Sequence, residues 1–371
     1  MEELKNLRSL FRDDKLIDVG TLAGALKNPS EEDKKYKISF IVFISPKFPI
    51  NLFKIWNGKE FSFKIDEYAD FWVVNLHRSI NKSNAKDPSR EIFGHFALFQ
   101  HKKTNMWVAF TNETRDFFDN GVVKFIESYR PDISRIYFSS EELRNLFEEL
   151  EESLSCKIFV KKAVLYSHIK EGQIRFEKDH FQELFNRAEN ESSYVDKVEY
   201  EFHNNVGSIY HGFVSRGLIF YYYSGNINYF FNGFLPLIAE KGIKKTNIFE
   251  NKERKFGEIQ VQPICIEFQR DVFNNNMDNI RLIKALEKVS KSALAVYHKN
   301  PYLHASFLDF IDGSIFDIFA TGTNRLTIVP NYKCSMHSLM RVSEQISKDF
   351  EEGTVSLRGR STYSLSDFMG E

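Results

Sequence analysis

The sequence predicts an α+β fold: antiparallel β-hairpins and meanders flanked by amphipathic helices, in two domains that share a local signature. Three observations predict it. Paired runs of β-branched and aromatic residues with short turns between them recur at 94–111, 208–223 and 302–320. Segments with a single apolar stripe, the clearest at 139–154, lie among these pairs. The 371-residue length exceeds what one small core ordinarily serves. Two domains are therefore expected, 1–155 and 156–355, with 356–371 as a mobile tail.

The elements follow in order. Leu4, Leu7, Leu10 and Phe11 share a helical face in a charged segment that does not resemble a signal peptide. KISFIVFIS (37–45) reads as a buried strand, and FSFKI and FWVVNL as two more. SNAKDPSRE (83–91) is a loop by its turn residues. Gly94–Gln100 and Met106–Thr111 form a hairpin. A helix is expected over ETRDFFDNGVVKFIESY, stopped by Pro131. RIYFS is a short strand. Ser139 and Glu142 have capping-box spacing before a stripe of Leu143, Leu146, Phe147, Leu150 and Leu154.

KIFVKKAVLYSHI (157–169) is a strand and HFQELFNRAE a short helix. Ser208–Ser215 and Leu218–Tyr223 form a second hairpin, followed by a helix over NYFFNGFLPLIAEKG. FFDNGVVKFI (117–126) resembles FFNGFLPLI (230–238) with one residue deleted, each behind a hairpin. Internal duplication and two separate uses of one ββα unit both explain this. The last third reads as a strand (263–268), a helix (278–294), three strands (302–330) and a helix (335–350), with Gly353 as its C-cap.

Composition bounds the function. A formal net charge of −1 argues against a polyanion binder that relies on bulk positive charge. The three cysteines, Cys156, Cys265 and Cys334, are far apart and form no CxxC, so reduced buried thiols in a cytoplasmic protein are expected. No apolar run reaches the roughly 18 residues of a membrane helix. The phosphate loop GxxxxGK[ST], a GxGxxG opening a helix, GxSxG and HExxH are all missing.

Two sets of residues are candidates for chemistry. The strands of 302–330 hold His304, Asp309, Asp317 and Arg325. Period-two alternation is expected to put Asp309 and Asp317 on one face, with Arg325 near them and His304 on the other. Paired carboxylates can bind a divalent metal or act as acid and base, which would make these four the catalytic set of a nuclease or phosphodiesterase. Outside that reading no cofactor is implied. His95, His211 and His304 each sit on the first strand of a hairpin and would bind metal only by converging.

The second set is basic. KGIKKTNIFENKERK (241–255) carries six basic and two acidic residues behind a tyrosine-rich strand. Lys161, Lys162, Arg216, Lys244, Lys245, Arg254 and Lys255 are candidate phosphate contacts, with Tyr222 and its neighbours as stacking residues. The expectation is an intracellular nucleic-acid-binding accessory protein, of the kind found in microbial antiviral defence or mobile-element systems. Alternatives are a protein-interaction or scaffold subunit of a complex, and the metal-dependent nuclease. Nucleic acid or a protein is the expected partner, and no membrane.

Overall fold

The structure is a computed structural model that describes residues 38–55, 60–80, 90–167, 173–250, 262–320, 322–331 and 333–357. The expected N-terminal helix, the loop at 83–89, residues 251–255 and the tail from 358 lie outside these. The described residues form seven α-helices and 17 strands in two separate antiparallel sheets, an α+β fold. They fall into two compact units, Met1–Gly242 and Ile243–Glu371. Among them no helix is long and apolar enough to cross a membrane.

The first unit is built around β1 (Ile38–Ile44). All seven of its residues are buried, as an uninterrupted apolar run requires when both faces are covered. It pairs with β5 (Met106–Thr111) on one side and with β11 (Ile219–Gly225) on the other. On the β5 side the sheet continues through β4 (Arg90–Gln100) and β3 (Phe71–Ile80) to β2 (Phe61–Glu67). On the β11 side it runs through β10 (Gly207–Ser215), β9 (Ser193–Asn204) and β7 (Lys157–Ser167) to β8 (Gln173–His180). The short β6 (Ser134–Arg135) also pairs with β1. The division expected at 155/156 falls inside this unit, because β1 binds strands from both sides of it into one sheet.

Alternation along β1 feeds two cores. Ile41 and Phe43 point into a cluster closed by α1 (Pro49–Ile55), the π-helical turn Phe117–Val123 and α2 (Lys124–Ser128). Phe40 instead stacks on Phe230 at 4.2 Å. Phe230 lies in a second π-helical turn, Tyr229–Phe234. With α3 (Ser140–Leu154) and α4 (Phe181–Asn190), that turn covers the β9–β10 half through Phe147, Tyr200 and Phe234. Each half of the sheet therefore carries its helices on the opposite face from the other. The two similar segments are the two π-helical turns. Each follows a hairpin whose second strand flanks β1.

Ser139 caps α3 with the expected capping box. Strands β8 and β9 are additions to the sequence reading. The helix begun by the second π-helical turn continues as α5 (Leu235–Phe249), seven residues beyond its expected end at Gly242, so the first part of the basic run is helical.

In the second unit the strand order is β13-β14-β15-β16-β12-β17, with β12 at Ile264–Phe268, β13 at Ser292–His298, β14 at Leu303–Asp309, β15 at Ile315–Ala320, β16 at Arg325–Pro330 and β17 at Gly353–Leu357. The sheet turns one face toward α7 (Met336–Asp349), which Arg341 ties to Asp309 of β14, and Phe307, Ile318 and Ile328 are buried on it, as are Leu282 and Leu286 of α6 (Asn276–Glu287) and Leu339 and Ile346 of α7. Two expectations change here. Residues 292–294, read as helix, begin β13, because Ala and Leu suit either structure and pairing with β14 decides. Gly353 opens β17, which pairs with β12, so Ser356 and Leu357 belong to the sheet and not to a tail.

Candidate nucleic-acid interface

The predicted catalytic set does not assemble. In the β14–β15 hairpin Ser306 lies opposite Asp317 and His304 opposite Phe319. Partners in this register have opposite parity, so Asp317 shares a face with His304 and Ser306, and Asp309 faces the helices. A one-residue difference in register reverses every side chain, and the five-residue loop 310–314 fixes this one. Asp309 is fully buried, with Oδ2 2.5 Å from Nη1 of Arg341 and Oδ1 accepting from the Ile311 amide at 2.9 Å. Asp317 accepts from the Ser306 hydroxyl. Arg325 pairs with Glu267 across the strands at 3.1 Å.

His95 and His211 do not converge. His95 alternates with Phe96 on β4 and so points away from the core that Phe96 enters, whereas His211 lies on that core's side, its ring 4.7 Å from Tyr223. His304 belongs to the other sheet. Among the described residues no group of three His, Cys, Asp or Glu side chains is arranged to hold a metal ion.

The predicted basic set is scattered. Arg216 is 2% exposed and sits between Tyr137 and Tyr194, its guanidinium 4.3 and 4.2 Å from their ring centres. It holds the hairpin turn to the chain at 137–138 and cannot reach a phosphate in solvent. Tyr222 is likewise fully buried, its hydroxyl donating to Gly225 O at 2.6 Å, so its ring offers no face for stacking. Lys161 is paired with Glu201 at 3.0 Å, and Lys162 is exposed. A bulge between Val160 and Lys162 shifts the buried positions of β7 from Ile158 and Val160 to Ala163 and Leu165. Lys244 and Lys245 lie on α5; Arg254 and Lys255 are outside the described residues.

Two surfaces that the sequence reading missed come forward. The first is the face of β7, β9 and β10 turned away from α3 and α4. His211 Nε2 lies 2.9 Å from Glu199, while Glu201 binds both Lys161 and His203, at 3.0 and 3.1 Å. The alternation Val198-Glu199-Tyr200-Glu201-Phe202-His203 was the available signal. Burial pushes the His211 imidazole below its ordinary value, with Lys161 adding to it against the pull of Glu199. Burial pushes Glu201 up, but its bonds to Lys161 and His203 outweigh this and leave it low.

Both depressed groups stabilise the fold at neutral pH and lose that contribution in acid. The His211 part is complete above the unfolded value of about 6.5 and fades as pH falls through its lower folded value. Urea unfolding at a series of pH values should show stability falling from pH 7 to 5. His211→Gln should flatten that part of the profile.

The second surface is the face of the six-stranded sheet turned away from α6 and α7. Tyr297, His304 and Phe319, on the adjacent strands β13, β14 and β15, form a row. Tyr297 and His304 centroids are 4.9 Å apart, and His304 stacks on Phe319 at 4.4 Å. Beside them His298 stacks on Tyr302 at 4.2 Å. Tyr297 is 64% and Tyr302 46% exposed, unusual for rings so large. Comparison with known proteins adds no family: no protein-family model matches the chain, and no curated protein matches it.

Proposed function

We propose that the chain is a nucleic-acid-binding protein that takes single-stranded DNA or RNA on the face of its six-stranded sheet turned away from α6 and α7. The row Tyr297–His304–Phe319 carries this reading. Unpaired bases can stack on the exposed rings of Tyr297, at the end of that row, and of the neighbouring Tyr302, each backed by a histidine, and such stacking tolerates any base. The near-neutral net charge fits a binder that gains affinity from rings more than from bulk positive potential. Lys244, Lys245, Arg254 and Lys255 supply phosphate contacts in this reading.

Fluorescence anisotropy with labelled single- and double-stranded DNA and RNA, at low and moderate salt, tests it. Single strands should bind more tightly. His304→Ala with Phe319→Ala should weaken binding by roughly tenfold or more, since each stacked base contributes about 1–3 kcal/mol. Replacing Lys244, Lys245, Arg254 and Lys255 with Glu should weaken binding and flatten its salt dependence. Affinity unchanged in both variants would end the reading.

A further inference from the structure

Among the described residues, strand β13 is one edge of the six-stranded sheet. An edge presents unpaired backbone N–H and C=O groups, and natural sheets usually blunt it with charged side chains within the strand. The edge strand β2 of the larger sheet follows that rule, with Lys64, Asp66 and Glu67. β13, SALAVYH, contains no Asp, Glu, Lys or Arg, like the opposite edge β17, and carries a bulge between Val296 and His298 near its end. Ala293, Ala295, Val296 and Tyr297 are all exposed along it. Its charges stand just outside the strand. Lys291 precedes it and Lys299 follows it, both exposed and neither in an ion pair among the described residues.

We propose that β13 is a docking edge for an extended segment of a partner protein, which adds to the sheet as a further strand. Backbone hydrogen bonds would supply affinity, and alternate side chains specificity. The occupant is defined by charge: a neutral, β-rich stretch spanning about 23 Å, seven residues at roughly 3.3 Å each, with acidic residues at both ends. Ala293 and Ala295 leave room for larger side chains on the added strand, and Tyr297 bounds that room. A second copy of this chain is the wrong occupant. Antiparallel self-pairing would set Lys291 of one copy against Lys299 of the other, like charges directly opposed. This inference does not rest on nucleic-acid binding, and its test uses neither His304 nor Phe319.

The probe is a fluorescein-labelled peptide of seven alternating valines and threonines with two glutamates at each end. A second peptide carries lysines in place of the glutamates. The full-length chain should bind the glutamate peptide and slow amide hydrogen exchange over 292–298. Lys291→Glu with Lys299→Glu, both on the surface, should leave the melting temperature unchanged. That variant should lose about tenfold in affinity for the glutamate peptide and gain as much for the lysine peptide. No binding of the glutamate peptide overturns the proposal. So does binding that ignores the charge exchange, protection lying elsewhere than 292–298, or a chain that sediments as a dimer through β13.

Discussion

Replacing Asp309 with Asn is expected to destabilise the chain by about 3–5 kcal/mol, the usual cost of removing one partner from a buried ion pair. Arg341 is then left with an uncompensated charge in a site where its side chain is only 11% exposed. Asp309 also organises its loop. Its carboxylate accepts from the Ile311 amide, its own amide donates to Ser314 O at 2.9 Å, and its carbonyl accepts from Gly313 at 2.8 Å. Arg341 in turn donates to Ser290 O at 2.5 Å, tying α7 to the chain just ahead of β13. Arg341→Met should cost a similar amount by stranding the carboxylate. Asp309→Leu combined with Arg341→Met should recover most of the loss, because an apolar pair of similar volume avoids desolvating two charges. Urea unfolding of the single and double variants measures the coupling. Single variants within about 1 kcal/mol of the parent would mean that the pair is open to water. An activity lost in Asp309→Asn alone would therefore say nothing about catalysis without this stability series.

The contrast between Asp309 and Phe319 shows what the sequence carried and what it did not. Period-two alternation correctly separated His304 from Asp309, and the hairpins, β1 and the capped α3 were legible for the same local reasons. Alternation cannot supply the register between two strands, and the pairing of Asp317 with Ser306 fixes which face each carboxylate takes. The partner of Asp309 is 32 residues away on another element, beyond any local pattern. Arg216 failed for a related reason. A turn arginine reads as exposed, and only the folded chain brings Tyr137 and Tyr194 to its two sides. The aromatic row is a property of three strands together. No single strand marks Tyr297, His304 or Phe319 as a surface rather than a core.

Gly225→Ala should be among the most damaging single-methyl additions to the first unit, at a cost of about 2–5 kcal/mol. About 1–2 kcal/mol of this comes from the backbone, which at φ +96° lies where L-residues are strained. A further 1–3 kcal/mol or so is steric. A methyl group there would overlap Ile209 O and lie 2.7 Å from Tyr210 Cα, backbone atoms that cannot rotate aside. This approach is part of the β10–β11 ladder. Gly225 lies opposite Tyr210, its carbonyl accepts the Tyr222 hydroxyl, and the amide of Asn226 donates to Ile209 O at 2.9 Å. Gly207→Ala is the internal control. Its φ is +140°, but an added methyl group would meet nothing within 4 Å. It should carry the backbone cost alone. The difference between the two variants in urea unfolding isolates the steric part. If they cost the same, β10 must be able to shift away from β11 beside the bulge between His211 and Gly212, and the second hairpin is then softer than its buried tyrosines imply.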